Sequence, residues 1–200
     1  MSVFDEIYKN NSWGFGSGHG SLPAVTKGYR SLIETFIREN DIKSVVDYGS
    51  GDWQFSRLVN WGDVEYTGAD IVPSLQEENT RKYGTDRIRF ITVQRDASNI
   101  PKADLLISKD VLQHLPNNTV QEFINNVLPK FRYALITNCI ESAAPVNSEI
   151  EMGGFRGIDV RKRPFSVDGK VVYSFSGPKV FSWRRRKFFP SWKKLVVLVG

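Results

Sequence analysis

Apolar residues recur at helical spacing from Ser21 onward: Val25, Tyr29, Leu32, Ile33, Phe36 and Ile37 mark one face. Ser21 is placed to cap this helix and Pro23 suits its first turn. Beyond it, short apolar runs alternate with helical stretches. Ser44–Tyr48, Val64–Ala69, Ile88–Val93, Asp104–Ser108 and Tyr133–Thr137 read as strands. Asp52–Asn60, Ser74–Tyr83 and Thr119–Phe131 read as the helices between them. The last carries Val120, Phe123, Ile124, Val127, Leu128 and Phe131 on one stripe. Val171–Phe175 and Leu195–Val199 add two strands joined by a long connection. This alternation predicts an α/β fold, with a Rossmann-like, seven-stranded, mostly parallel sheet and helices on both faces. No repeat, low-complexity segment or Pro/Gly linker divides the chain, so residues 1–200 are expected to form a single domain.

Composition changes this picture only locally. Two hundred residues, 40% apolar and 24% charged, can bury a sizeable core. The longest apolar runs, such as Leu195–Val199, are too short to cross a bilayer. The opening residues lack the basic start and apolar run of a secretory signal. Cys139, the lone cysteine, excludes an internal disulfide, fits a reducing compartment and reads as a buried thiol. A cytoplasmic protein is therefore expected. The net charge of +5 comes from seven Lys and Arg between Lys179 and Lys194; the other 20 basic and 22 acidic residues net to −2. That stretch interleaves aromatics with cations, as nucleic-acid and membrane-surface binders do. It lies between two expected strands, where a solvated connection packing its aromatics on the sheet gives the same pattern.

Ligands of open α/β sheets bind at the carboxyl ends of the strands, so chemistry is sought there. The first strand runs into Asp47, Gly49, Ser50 and Gly51, a turn that allows close ligand approach. A dinucleotide fingerprint would carry a third glycine where Gln54 stands after bulky Trp53, and Asp47 would repel a pyrophosphate. The same carboxylate suits a ligand with an ammonium and a sulfonium but no phosphate, such as S-adenosylmethionine. Asp70, ending the second strand, is placed to accept from both ribose hydroxyls, or to cap a helix. Asp96, after the third, suits an adenine amino group, although Asp-Ala-Ser-Asn is also ordinary turn chemistry. After the fourth strand, Asp110 and His114 lie four apart, so on a helical turn they share a face. A carboxylate there would fix the imidazole tautomer and make His114 a general base. A histidine packed under the next helix and a metal site of Asp110 with Asn138 are the competing readings; without clustered ligands at metal spacing, no metal is assigned.

These residues match the class I S-adenosylmethionine-dependent methyltransferase pattern in order and spacing. More narrowly, the chain resembles small sugar O-methyltransferases associated with surface-glycan synthesis in bacteria and large DNA viruses. The resemblance spans nearly the whole chain. It rests on Trp13, Gly14, Gly20, Ser21, Thr26 and Arg30, on Asp47–Asp52, Tyr66–Ile71 and Asp110–Leu115, and on Asn147, Gly154–Arg156 and Pro164–Phe165. One departure is Lys109, where the family usually has Arg and hence a bidentate donor. The resemblance implies methyl transfer from S-adenosylmethionine, leaving S-adenosylhomocysteine, to a sugar hydroxyl of a glycan, with His114 beside the transferred methyl. The glycine-rich loop Trp13–Ser21 suits a lid or a solvated arm, so residues 1–40 are expected to cover a core of residues 41–200, with an insert around 143–165 that lines the acceptor pocket or forms a charged surface loop. The expected cofactor site is then Trp13, Asp47, Gly49, Ser50, Gly51, Trp53, Asp70, Ile71, Asp96, Ala97 and Lys109, with Asn147, Arg156 and Asp159 facing the acceptor. Glycosyltransferases of the same pathway are the implied partners, in the cytoplasm or, for a viral member, the host cytoplasm. The base-methylating Asn/Asp-Pro-Pro-Tyr segment is absent after the fourth strand, which disfavours a nucleic-acid target. RNA methylation, another small-molecule acceptor, a non-catalytic nucleoside-binding module and a nicotinamide oxidoreductase are the alternatives.

Overall fold

A computed structural model describes residues 2–94, 96–140, 145–177, 180–182, 187–189 and 192–200. Residues 179, 183–186, 190 and 191 of the basic aromatic stretch, and residues 143 and 144 of the expected insert, lie outside the described residues. Seven strands form one sheet: β1 (Ser44–Tyr48), β2 (Glu65–Asp70), β3 (Ile88–Thr92), β4 (Ala103–Ser108), β5 (Phe131–Cys139), β6 (Lys170–Gly177) and β9 (Trp192–Val199). The intervening β7 (Val180–Ser182) and β8 (Lys187–Phe189) pair as a separate antiparallel ribbon. The sheet order is β3-β2-β1-β4-β5-β9-β6. Pairing is parallel from β3 through β5, and antiparallel on both sides of β9. The strand order reverses between β1 and β4, so a crevice opens beyond their carboxyl ends.

Alternate residues of the central strands feed two cores. Val45, Leu105, Ile107 and Leu135 face a layer containing Tyr29 and Ile33 of α2 (Pro23–Glu39). Val46, Leu106, Ala134 and Ile136 face Val120, of the helix at Asn117–Glu122, and Phe123 and Val127 of the π-turn after it. Each such buried aliphatic side chain contributes about 1.5–3 kcal/mol, which is what holds the strand ends in register. Among the described residues no helix is long and apolar enough to cross a membrane.

Three local expectations are corrected. Ser21 does not cap α2; it lies in a 3₁₀ turn, and Leu22 precedes Pro23 at the helix start with no side-chain cap. The expected helix Asp52–Asn60 is replaced by a tight turn and one 3₁₀ turn, Ser56–Leu58. Trp53 sits at φ 56°, and the Asp52 carboxylate accepts from the Ser17 hydroxyl at 2.6 Å, so the chain leaves helical geometry there. The expected helix ending at Phe131 stops earlier, with a π-turn and a 3₁₀ turn between Glu122 and the first residue of β5. Neither the β7–β8 ribbon nor α1 (Val3–Lys9) was expected; α1 starts with a capping box in which Asp5 N–H donates to Ser2 Oγ and Ser2 N–H to Asp5 Oδ2.

Candidate active site

The turn after β1 is pinned to the neighbouring strand. Gly49 and Ser50 N–H both donate to the Ala69 carbonyl, at 2.7 and 3.2 Å. Gly49 holds φ 78°, and a side chain there would run into the methyls of Val111, so only glycine fits. Gly51 N–H donates to Asp70 Oδ2 at 2.9 Å and Val72 N–H to Oδ1 at 3.0 Å. Burial raises the Asp70 carboxyl to about 6 against those two bonds, and Asp47 nearby adds to the rise. A buried carboxylate with spare lone pairs at a switch point is a receptor for hydroxyl donors.

Beyond this turn lies a cavity of about 1100 Å³. Of the expected cofactor residues, Trp13, Gly49, Ser50, Asp70, Ile71, Ala97 and Lys109 line it, as do Asp110 and His114. Gly51 touches it only through its bond to Asp70. The Ser50 hydroxyl is buried and has no hydrogen-bond partner among the described residues.

Six of the expected contact residues are placed away from the cavity, with side chains that serve the fold. Asp47 lies beneath the turn, accepting from Ser56 Oγ at 2.5 Å and Tyr66 hydroxyl at 2.7 Å. Trp53 packs in the core against Tyr83 and Phe90, at ring distances of 4.9 and 5.2 Å. Asp96 is exposed and accepts from Ser98 N–H at 3.0 Å, while Val93, Gln94 and Ala97 face the cavity instead. On the acceptor side, Asn147 clasps its own loop, donating to the Asp159 and Arg163 carbonyls and accepting from Asp159 N–H. Asp159 pairs with Arg161 at 2.9 Å. Arg156 is wholly buried, donating to the Leu112 carbonyl at 3.1 Å and Asn117 Oδ1 at 2.9 Å. None of these six lines the cavity.

The expected Asp110–His114 pair does not form either. Asp110 takes a left-handed φ of 61°, and only a 3₁₀ turn, Leu112–His114, follows, so the four-residue helical spacing does not apply. His114 Nδ1 instead meets the Gly154 carbonyl at 2.7 Å. A carbonyl only accepts, so Nδ1 carries the hydrogen and Nε2 keeps its lone pair. The Gln113 amide, 3.3 Å away, donates to Nε2. The ring packs on Trp13 at 4.9 Å, and burial holds its pKa below the ordinary histidine value. Asp110 Oδ2 accepts from Lys109 Nζ at 2.6 Å and from Lys194 Nζ. Burial alone would raise the Asp110 carboxyl, but the two ammonium groups hold it well below the usual carboxylate range. Two cations at Asp110, together with Asn138 engaged by Val160 N–H and the Ile136 carbonyl, also remove the metal site considered for that pair.

Sequence reasoning missed Lys194, Gln94, Phe155 and the Gly154 carbonyl. Lys194 reaches the cavity because β9 runs antiparallel to β5, placing it opposite Cys139.

No protein-family model matches the chain, and no curated protein sequence does. Solved structures do. Magnesium protoporphyrin IX methyltransferase (ChlM) from Synechocystis PCC 6803 with bound SAH is similar at 14% identity and TM-score 0.60, covering 99% of this chain and 95% of that one. The N-methyltransferase NodS from Bradyrhizobium japonicum WM9, in complex with S-adenosyl-l-homocysteine, is similar at 13% identity and TM-score 0.61, with 88% and 87% covered. TehB from Haemophilus influenzae gives 14% identity and TM-score 0.60, with 98% and 67% covered. The fold of this chain is that of the class I methyltransferases.

Proposed function

We propose that the chain transfers a methyl group from S-adenosylmethionine to a sugar hydroxyl of a glycan. The observation that carries this is one cavity shared by the glycine turn, the Asp70 carboxylate and the lone-pair nitrogen of His114. The residues fit that cofactor better than a dinucleotide. No α-helix follows the glycine turn, so the helix N-terminus that would hold a pyrophosphate is missing, while Asp70 suits ribose hydroxyls. The orphaned Ser50 hydroxyl adds a polar group without charge. Bound there, S-adenosylmethionine supplies an already activated methyl group. What remains for the protein is alignment and removal of one proton. His114 Nε2 takes that proton from the acceptor hydroxyl, which displaces the Gln113 amide, while the Gly154 carbonyl keeps the ring in the required tautomer.

Trp13 beside His114, with the half-exposed Phe155 across the ring, gives a sugar an aromatic wall. Residues 1–40 act as the lid. Tyr8 and Ser17 are hydrogen-bonded at 2.9 Å, and Ser17 in turn donates to Asp52 beside the glycine turn. The reading places the reaction in the cytoplasm beside glycosyltransferases of the same pathway, supported by a single, buried cysteine. Transfer of a labelled methyl from S-adenosylmethionine to a panel of glycans and RNAs tests it. Label in a glycan, stable to mild alkali as an ether is and recovered in an O-methylated sugar after acid hydrolysis, is the expected outcome. Label in RNA, falling steeply with salt, would overturn it.

A further inference from the structure

Two lysines and one aspartate share a wall of the cavity. Lys109 follows β4 and Lys194 lies near the start of β9; their side chains are 1% and 6% exposed. Both ammonium groups point at the same oxygen, Asp110 Oδ2. The other oxygen, Oδ1, accepts from the Thr137 hydroxyl at 3.3 Å. Each ammonium has three hydrogens to donate. Among the described residues each makes one such bond, to Asp110. Their other neighbours are rings, Phe55 5.2 Å from Lys109 Nζ and Trp192 4.3 Å from Lys194 Nζ. A ring face attracts a cation but carries no net charge. The carboxylate of Asp47, whose field also reaches Lys109, is engaged by Ser56 and Tyr66.

Within ion-pairing distance, among the described residues, the cluster therefore holds two buried ammonium groups against one carboxylate. Burying a charge without a full partner is costly, so the arrangement is incomplete as it stands. Burial and the repulsion of Lys194 push the Lys109 ammonium below its ordinary pKa, as expected for a site short of negative charge. The loop above leaves room only as glycine: a Cβ on Gly20 would lie 2.8 Å from Asp110 Oδ2 and from Lys194 Nζ, and 3.8 Å from Lys109 Nζ. Lys109, Asp110, Lys194 and Gly20 all line the same cavity as His114.

From this charge balance we infer that Lys109 and Lys194, oriented by Asp110, form a subsite for the carboxylate of a bound ligand. The inference rests on the methyltransferase reading, which supplies two sources of that group: the amino-acid end of the cofactor, or an acidic sugar of the acceptor. Calorimetry on the full chain separates them. S-adenosylhomocysteine and 5′-methylthioadenosine share a nucleoside, but only the first carries a carboxylate. Lys194→Met is expected to weaken one carboxylate-bearing ligand by about tenfold or more and to spare its carboxylate-free counterpart. If S-adenosylhomocysteine weakens and methylthioadenosine does not, the cofactor supplies the group. If both are unchanged, the KM of a uronic-acid glycan must rise about tenfold while that of its carboxyl-reduced form stays. Lys109→Met repeats the comparison should the first variant fold poorly, and free acetate competing against wild type gives a readout without mutation. Equal effects on charged and uncharged ligands, or no effect on any, overturn the subsite. Failure of wild type to bind either nucleoside would instead sink the parent reading.

Discussion

Replacing His114 by alanine is expected to lower turnover by about 10²–10⁴-fold while leaving the affinity for S-adenosylhomocysteine within about twofold. The reason is positional. The imidazole touches the cavity through a nitrogen whose lone pair is fixed by the Gly154 bond on the opposite side of the ring. Asp70 and the glycine turn, the proposed nucleoside site, bond to one another and not to that ring. The same geometry sets the pH profile. Burial lowers the His114 pKa, so the free base persists to lower pH than for an ordinary histidine. The acid limb of kcat/KM, where the base becomes protonated and activity is lost, is expected below about pH 6.5. Unchanged turnover in the variant would leave His114 as a packed ring under Trp13 and remove the base from the mechanism.

The largest effect on stability is expected at Arg156. Its side chain is completely buried, and no carboxylate pairs with it among the described residues; burial holds its pKa below the usual value, with Glu149 partly offsetting. The guanidinium ties the Leu112 carbonyl to Asn117 Oδ1, and the Arg156 backbone N–H donates to the Gln113 carbonyl. Those bonds brace the turn that carries His114 from both ends. Arg156→Ala removes a large buried side chain, leaves Asn117 Oδ1 without this partner and leaves the Leu112 carbonyl only the Leu115 N–H. A loss of about 3–5 kcal/mol follows, measured by urea unfolding, with a Tm drop of roughly 10 °C. Arg156→Lys restores little, since an ammonium cannot reproduce the two-pronged fork. A change below about 0.5 kcal/mol would contradict this account of the turn.

Much of this architecture was legible from residue patterns. β1 coincides with the expected run Ser44–Tyr48, because three consecutive buried residues bounded by a glycine turn leave little choice. Asp70, Lys109 and His114 stand at or after strand ends, which topology alone delivers to the crevice, and all three line the cavity. Asp47, Trp53 and Asp96 occupy such places too, yet they turn into the fold or out to solvent. Strand-end position says where a residue is, not which way its side chain is drawn. For Asp47 the deciding partners, Ser56 and Tyr66, come from the following turn and the next strand. The helix expected after β1 failed for a similar reason: Ser17 from the N-terminal arm captures Asp52. Lys194 was hidden because its partner, Asp110, lies 84 residues away and meets it only through the antiparallel register of β9. Arg156 and Asn147 were recognised as notable, but as acceptor contacts; Asn147 bonds within its own loop, and Arg156 to Leu112 and Asn117 beside the His114 turn.

The central claim is that the cavity beyond β1 and β2 is a nucleoside site anchored on Asp70. Calorimetric titration of S-adenosylhomocysteine into the wild type and Asp70→Ala tests it most directly. The account predicts roughly micromolar binding to wild type at about pH 8, abolished by the substitution. Asp70 is raised to about 6, and hydroxyl donors favour its ionised form, so wild-type affinity should fall below that pH by up to about tenfold per unit. Absence of binding to the wild type, or binding indifferent to both Asp70 and pH, would contradict it.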